Sequence, residues 1–232
     1  MADLELVVAR YAEDLKWLRR VPRAFRITVY DKGGDLENAI PLRNVGYEAH
    51  TYLHHVVTRF DDLADLTVFV QGRPFDHVPD LHRRLRRLAE GRESVDAFRW
   101  LGFVVDYDDS RGERLFRPWS KNVDGRFLDL EGFCQSLWGE SAPETFVFYP
   151  GGQFGVRAEQ IRRQPASFYE RALDLSLNFP DGGHCLERTW DRVFDAHGVP
   201  PSLRGRPLPI YLRPIRRLGI TWDSVPVDER GW

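Results

Sequence analysis

The chain is poor in cysteine, methionine and lysine, and these shortages narrow what the protein can be. It has 2 cysteines and 1 methionine among its 232 residues. Cys134 and Cys185 lie without CxxC spacing or a nearby ligand cluster, so neither a disulfide framework nor a zinc finger is indicated. Lysine is found only at positions 16, 32 and 121, so arginine supplies 30 of the 33 basic side chains. Arginine offers forked donors that suit phosphate and carboxylate groups.

A strong excess of charge and a long apolar run are also missing. Lys and Arg total 33 and Asp and Glu total 35, which gives a net charge of −2 and not the basic excess of a general nucleic-acid binder. No run approaches the roughly 18 apolar residues of a membrane span, and the N-terminal segment does not have the pattern of a signal peptide. We therefore expect a cytoplasmic protein with no nucleic-acid partner and no membrane span.

Signature motifs of several large enzyme classes do not occur in the sequence. It has no GxSxG, no P-loop GxxxxGK[ST] and no GxGxxG. Hydrolase, kinase and dehydrogenase functions therefore receive no support from motifs. The 42% of hydrophobic residues nevertheless allow a sizeable core, as in a globular protein.

Short apolar runs alternate with helical patterns along the first 70 residues. The runs 4–9, 26–30 and 66–70 have the nearly continuous apolar character of strands buried in a parallel sheet. A short helical pattern over 13–20 and a longer one over 44–60 lie between them. This order predicts an α/β layered sandwich with a mainly parallel central sheet, whose ligands lie at the carboxyl ends of the strands.

The rest of the chain carries further elements and a proline-rich end. We predict strands at 101–105 and 145–149, a helix that opens at Pro79 and Asp80, and helices at 158–163, 166–177 and 184–196. Six prolines follow Val199, too many for a regular helix. The predicted organisation is one α/β domain over 1–198 and an extended, Pro- and Arg-rich tail over 199–232 packed on it.

The polar ends of the buried runs predict where a ligand binds. Because these ends should meet at one edge of the sheet, we expect the cleft to be lined by Arg10, Tyr11, Asp31, Gly46, Gln71, Arg73 and Gln153. Glu48 joins this substrate-binding set from the first turn of the helix that follows Asn44-Val-Gly46. That helix start offers N–H groups to an anion, although an ordinary N-cap explains it equally well.

Three clusters of potential metal ligands stand out. His50 and His54 are four residues apart on one helix face, a spacing that fits either a metal or an ordinary polar face. Asp76-His77 and Asp106–Asp109 are oxygen-rich candidates for Mg²⁺ or Mn²⁺, and an exposed turn explains Asp106–Asp109 equally well.

A second candidate region combines a glycine pair with a helical carboxylate. Gly151 and Gly152 follow a predicted strand, where they let the backbone approach a ligand or simply form a tight turn. Glu187 lies beside the apolar stripe of its helix and is positioned to face a cleft. The alternative for Glu187 is a structural ion pair with an arginine.

Several segments together resemble a known family. The segments ITVYDKG, NVGYEAHTYLHHVVTRFDDLADLTVFVQGRPFDH, FVFYPGGQFGVRAEQ and LERTWDRVF resemble an uncharacterised domain family of bacterial and fungal proteins, over about residues 4 to 197. The layout is also similar to glycosyltransferases of the GT-A fold, which bind a nucleotide-sugar at the carboxyl ends of the first strands. This resemblance implies that the base and ribose are contacted by Ala9, Arg10, Tyr11 and Asp31, and the donor sugar or acceptor by Gly151, Gly152, Gln153 and Glu187.

The chain departs from the GT-A pattern after its third run. Such enzymes commonly carry Asp-x-Asp there to hold a divalent cation, and this sequence has Gln71-Gly72-Arg73. Either Asp76, with His77 beside it, or a carboxylate of Asp106–Asp109 supplies the metal ligand, or arginine charge makes the enzyme metal-independent.

The resemblance implies a glycosyltransferase-like enzyme that moves a sugar from a nucleotide-sugar to a small-molecule or glycan hydroxyl acceptor. Glu187 is then the expected general base, with Asp181 and His184 as substitutes. A carbohydrate- or nucleotide-binding module of the same fold, without turnover, is the first alternative. A metal-dependent hydrolase that uses His50, His54 and Asp76 is the second.

Overall fold

A six-stranded sheet forms the centre of the computed structural model, which describes residues 2–110, 112, 127–201 and 210–211. The strands are β1 (Leu4–Arg10), β2 (Phe25–Asp31), β3 (Ile40–Pro41), β4 (Leu66–Gln71), β5 (Phe98–Trp100), β6 (Val104–Asp109), β7 (Thr145–Phe148), β8 (Phe154–Arg157) and β9 (Ile210–Tyr211). The α-helices are α1 (Tyr47–Thr58), α2 (Leu81–Ala89), α3 (Leu130–Trp138), α4 (Ala158–Ile161), α5 (Ala166–Asn178) and α6 (Gly182–Val193). Short 3₁₀ turns are found at Lys16–Arg20, Phe60–Asp62 and Pro74–Asp76.

The central sheet is mainly parallel, with the order β3-β2-β1-β4-β8-β5. β1 pairs in parallel with both β2 and β4, so that Val8 lies between Val29 and Val70. β8 is antiparallel to both of its neighbours and is the one reversed strand among these six. The prediction of an α/β fold in which the runs 4–9, 26–30 and 66–70 are neighbouring parallel strands is confirmed.

Different helices cover the two faces of this sheet. Leu6 of β1 joins Leu85 of α2 in one buried cluster, whereas the next residue, Val7, joins Leu53 of α1 and Trp190 of α6 in the other. Successive side chains of a strand point to opposite faces, so a fully apolar strand requires cover on both sides. The result is a sandwich of three layers, with the larger core on the face of α1, α5 and α6.

Glu5 is a charged residue within the otherwise apolar β1. Its carboxylate is fully buried and accepts hydrogen bonds from Arg26 at 2.8 Å and Thr28 at 2.6 Å, with His55 of α1 at 3.6 Å. Burial alone would raise the pKa of Glu5, but these three partners lower it to about 2. The cluster therefore holds the N-terminal half of β1 against β2 and α1.

A second, three-stranded sheet has the order β7-β6-β9. The strand expected at 101–105 instead begins at Val104 and continues through Asp109, so the placement predicted from the sequence is wrong by several residues. Asp106 and Asp108 are 5% and 1% exposed, because alternate residues of β6 face the interior. The acidic stretch is therefore part of a buried strand, and the turn interpretation is wrong.

Other elements differ from the sequence predictions in smaller ways. The helix expected over 13–20 is reduced to the 3₁₀ turn at Lys16–Arg20, and β3, β5, β8 and α3 were not predicted. The predicted tail over 199–232 is described at 199–201 and 210–211, where β9 pairs with β6. Within the described residues, none of the helices has the length and apolar character that crossing a membrane requires.

Candidate functional site

The carboxyl edge of the parallel sheet brings together several of the residues predicted to bind substrate. Arg10 pairs with Asp31 across β1 and β2, and Ala9 pairs with Gln71 across β1 and β4, so these strand ends lie side by side. Gln153 reaches the same edge because it precedes β8, which runs in the opposite direction. The structure therefore places these residues at one edge of the sheet, and their role in substrate binding stays a prediction.

Side-chain alternation nevertheless divides this set between the two faces of the sheet. Leu6 and Val8 belong to the core beneath α2, so Arg10, two residues further, extends from that face. Phe69 belongs to the core beneath α1 and α6, so Gln71 extends from the opposite face. The predicted residues therefore form two separate groups at one edge.

Arg10 and Asp31 form the first group. The Arg10 guanidinium donates to Asp31 at 2.7 Å and also to Asp35, while Asp31 accepts the backbone N–H groups of Asp35 and Leu36, both at 3.0 Å. Burial opposes the charge of Asp31, but the Leu36 N–H and Arg10 bonds lower its pKa. These bonds fix the loop after β2, and Tyr11, 54% exposed, follows Arg10 at its surface.

The second group is centred on Glu187 and the Gly151–Gly152 turn. Glu187 Oε1 accepts the Gly151 N–H at 2.7 Å, and Oε2 accepts from Arg188 at 2.9 Å. Both glycines have left-handed backbone, with φ of 89° and 56°, which explains why glycine is needed at these positions. The predicted glycine turn and the predicted helical carboxylate are thus in direct contact.

Glu48 of α1 is the second carboxylate of this group. It is half-buried, and its Oε1 would lie 3.5 Å from a Cβ added to Gly152. Burial and the negative charge of Glu187 raise the pKa of Glu48 to about 7. We call Glu48 and Glu187 the acid pair.

The two carboxylates of the acid pair differ in their environments. Burial acts to raise the pKa of Glu187 as well, but the Arg188 charge and the Gly151 N–H more than offset it, so the pKa is lowered. Glu187 keeps 20% of its side chain exposed, so a ligand can reach the pair. One acid is therefore held ionised, while the other exchanges a proton near neutral pH.

Lys32 and His77 are two further titratable side chains near the acid pair. Lys32 is buried and donates to the carbonyl oxygen of Val45 at 2.6 Å. Burial lowers the pKa of Lys32 to about 8, although the negative charge of Glu48 acts to raise it. The His77 ring is in the space that a Cβ on Gly151 would need. Burial lowers the pKa of His77, against the charges of Glu187 and Asp76.

Trp190 contributes a buried donor beside the same turn. Its indole nitrogen Nε1 would lie 3.2 Å from a Cβ on Gly152 and has no hydrogen-bond partner among the described residues. A buried N–H without a partner is costly, so such a group is well suited to a ligand oxygen. In the sequence, Trp190 has the spacing of the apolar stripe of α6, which gives no sign of a donor that faces a ligand.

Arg188 joins the acid pair to the second sheet. Its Nε donates to Asp108 of β6 at 2.7 Å while its Nη1 donates to Glu187. Burial raises the pKa of Asp108 and of the neighbouring Asp106 to about 6, although Arg188 acts to lower both. An ion pair of Glu187 with an arginine was the alternative drawn from the sequence, and the pair with Arg188 is present. The link from Arg188 to β6 was not predicted, since a contact between residues 80 positions apart leaves no periodic signal.

Other residues predicted for the site make contacts with neighbouring loops and side chains. Gln153 is buried and donates to the carbonyl oxygen of Pro74 at 3.1 Å, so it joins two loops. Arg73 pairs with Asp76 at 3.3 Å. Asp181, with φ of 53°, directly precedes α6. The His184 ring contacts the ring of Tyr47, with the two centroids 4.9 Å apart.

Among the described residues, the predicted metal ligands lie apart from one another or are already paired. In the part of the chain that the structure describes, no three His, Cys, Asp or Glu side chains are grouped so that they could hold a metal ion. The predicted ligand Asp76 is engaged by Arg73, and Asp108 is engaged by Arg188. His50 and His54 stack with ring centroids 6.1 Å apart, and burial lowers the pKa of His50 to about 4.

Comparison with known proteins identifies the family. The model of a family described as protein of unknown function (DUF3431) matches residues 6–202. No curated protein and no solved structure matches the chain. The predicted resemblance to an uncharacterised domain family is thereby confirmed, while the similarity to GT-A glycosyltransferases stays a prediction. Because the match spans most of its length, the chain belongs to the DUF3431 family.

Proposed function

We propose that the protein is a glycosyltransferase that moves a sugar from a nucleotide-sugar donor to a hydroxyl acceptor, with Glu48 as the general base. The observation that carries the proposal is the acid pair beside the Gly151–Gly152 turn, at the edge of a parallel sheet where ligands characteristically bind. Environments that push the pKa values of two neighbouring acids apart give the two acids separate tasks.

Glu48 has the properties that a general base needs. Its pKa of about 7 leaves it ionised above neutral pH, yet basic enough to accept a proton efficiently. In an inverting transfer, the Glu48 carboxylate takes the proton of the acceptor hydroxyl as that oxygen bonds to the anomeric carbon. The bond from this carbon to the diphosphate breaks, and its electron pair leaves with the diphosphate.

Glu187 fits a positioning task better than the general-base task expected from the sequence. Both of its oxygens already accept hydrogen bonds, and its lowered pKa makes it a weak proton acceptor. Its charge helps to keep the pKa of Glu48 high, and its bond to Gly151 fixes the turn. The substitutes Asp181 and His184 stay predictions.

The leaving diphosphate requires positive charge. Arg73 lies two residues beyond Gln71, where β4 ends at the site, and its side chain is 54% exposed. A guanidinium binds phosphate oxygens through two parallel hydrogen bonds, and the diphosphate would compete with Asp76 for it. We therefore assign phosphate binding to Arg73.

A panel of nucleotides and nucleotide-sugars, with and without Mn²⁺, tests the proposal by thermal shift. A ligand bound only by the folded state raises the melting temperature, and release of nucleoside diphosphate then measures turnover. We expect at least one nucleotide-sugar to stabilise the protein and to be consumed when acceptors are supplied, with kcat/KM rising as the pH increases through about 7.

Matched variants identify the base. Glu48→Gln should lower turnover at least a hundredfold with unchanged donor binding, whereas the exposed Glu159→Gln of α4 should behave as wild type. Glu187→Gln should lower turnover and also weaken the turn at Gly151. Normal turnover in Glu48→Gln would show that the base is wrongly assigned.

Tight donor binding without turnover would favour the binding module, and no stabilisation by any nucleotide-sugar would refute the proposal.

A further inference from the structure

The start of α1 has an unusual backbone. Gly46 and Tyr47 are both left-handed, with φ of 60° and 52°. Glycine adopts this conformation freely, but in a residue with a Cβ the Cβ comes too close to the following carbonyl oxygen. A bulky residue stays in this region only where its surroundings impose it, and such residues concentrate at functional sites.

Two neighbours impose the conformation of Tyr47. Lys32 donates from its buried ammonium group to the carbonyl oxygens of Val45 and Tyr47, on either side of Gly46. Gly183 of α6 packs so closely that a Cβ added there would lie 2.8 Å from Cδ2 of Tyr47. The position of the tyrosine ring is therefore defined by buried parts of the fold.

The ring itself is largely presented to solvent. The Tyr47 side chain is 58% exposed and is tilted by 46° against the ring of His184, with the centroids 4.9 Å apart. Burial of the ring therefore does little to offset the strained backbone. An exposed aromatic ring on an unfavourable backbone conformation is better explained by ligand binding than by packing in the fold.

The two rings adjoin the acid pair. Tyr47 directly precedes Glu48 on α1. His184 lies three residues before Glu187 on α6, and this spacing places the side chains of His184 and Glu187 on one face of α6. The charge of His184 acts on Glu187, which agrees with this proximity. Helix α1 thus contributes Tyr47 and Glu48, and helix α6 contributes His184 and Glu187.

We propose that Tyr47 and His184 form an aromatic platform on which a sugar ring of the acceptor stacks, so that the acceptor is a saccharide. This inference rests on the proposed function and names its acceptor class. The apolar C–H face of a pyranose fits an aromatic ring, while the hydroxyls at its rim remain free for hydrogen bonds. A hydroxyl at the edge of the stacked sugar would be directed to Glu48, whereas an aliphatic alcohol offers no such face.

Direct saccharide binding tests the platform without requiring turnover. Methyl glycosides of common hexoses and N-acetylhexosamines are titrated into the ¹⁵N-labelled full chain, and amide shifts around 46–48 and 183–187 are followed. At least one glycoside should bind wild type, Tyr47→Phe should bind it similarly, and Tyr47→Gly should bind it at least tenfold more weakly. Phe127→Ala, which removes a comparably exposed ring (60%), should bind as wild type.

The glycine variant also separates binding from folding. Because glycine tolerates the left-handed backbone, Tyr47→Gly should melt at or above the wild-type temperature. Unaltered glycoside binding in Tyr47→Gly, or no binding of any glycoside by wild type, would overturn the platform. Binding at Tyr47 with no sugar transfer from any nucleotide-sugar would instead leave the platform standing and refute the proposed function.

Discussion

Replacement of Glu48 by glutamine tests the acid pair without a known substrate. Burial and the Glu187 charge raise the pKa of the Glu48 carboxyl from 4.5 to about 7 on folding. Between these two values the folded state holds a proton that the unfolded state has lost. Stability therefore falls as the pH rises through this window, by at most about 1.4 kcal/mol per pH unit.

The size of the effect follows from these two pKa values. Between pH 5 and pH 8, this single group lowers the free energy of unfolding of wild type by roughly 2–3 kcal/mol. Glutamine keeps the shape of the side chain, but it carries no charge at either pH. The stability of Glu48→Gln relative to wild type should therefore increase by roughly 2–3 kcal/mol between pH 5 and pH 8.

Urea unfolding at pH 5, 6, 7 and 8 measures this difference directly. The contributions of Asp106 and Asp108, whose raised pKa values act in the same direction, occur in both proteins and cancel. Glu159→Gln, at an exposed position, supplies the control for removal of one charge. If the difference between Glu48→Gln and wild type is the same at every pH, Glu48 titrates alike in both states and the reasoning about the acid pair is wrong.

Two further predictions concern the parts that hold the site. Gly151→Ala should lower the melting temperature more than Gly139→Ala. Both glycines have positive φ, but only the new Cβ at position 151 would meet the His77 ring. Equal losses in the two variants would show that the contact with His77 does not affect stability. Arg10→Met should lower stability by about 3–5 kcal/mol and expose the loop after Asp31 to proteolysis. Limited proteolysis and urea unfolding measure this, and an uncut loop would contradict it.

The elements that were predicted well from the sequence are strands that are buried along nearly their whole length. Residues 4–9 and 66–70 are buried on both faces, and such runs are nearly continuously apolar because both faces of the sheet are covered. The short strands β3, β5 and β8 have two to four residues and carry too little pattern. In α3, Leu130, Phe133 and Leu137 have helical spacing that was available in the sequence and was overlooked.

The candidate site was predictable as an edge of the sheet but not as a set of side chains. The strand ends identified Gln71, the glycine turn pointed to Gly151, and the apolar stripe of its helix pointed to Glu187. Strand-end position alone did not separate Gln71 from Arg10, because the face on which a side chain lies depends on which helices cover each face. The near-neutral pKa of Glu48 depends on the charge of Glu187, 139 positions along the chain, which no local pattern encodes.

The second sheet determines which member of the acid pair is ionised. Arg188 is buried between Asp108 of β6 and Glu187 of α6, and it lies over the ring of Phe148 of β7 with its Cζ atom 4.7 Å from the ring centroid. A guanidinium fixed on both sides remains beside Glu187 and stabilises the ionised form there. The resulting negative charge raises the pKa of Glu48. The unequal carboxylates are therefore produced by β6 and β7 as much as by the central sheet, and Asp108 acts on the site as a positioning residue through Arg188.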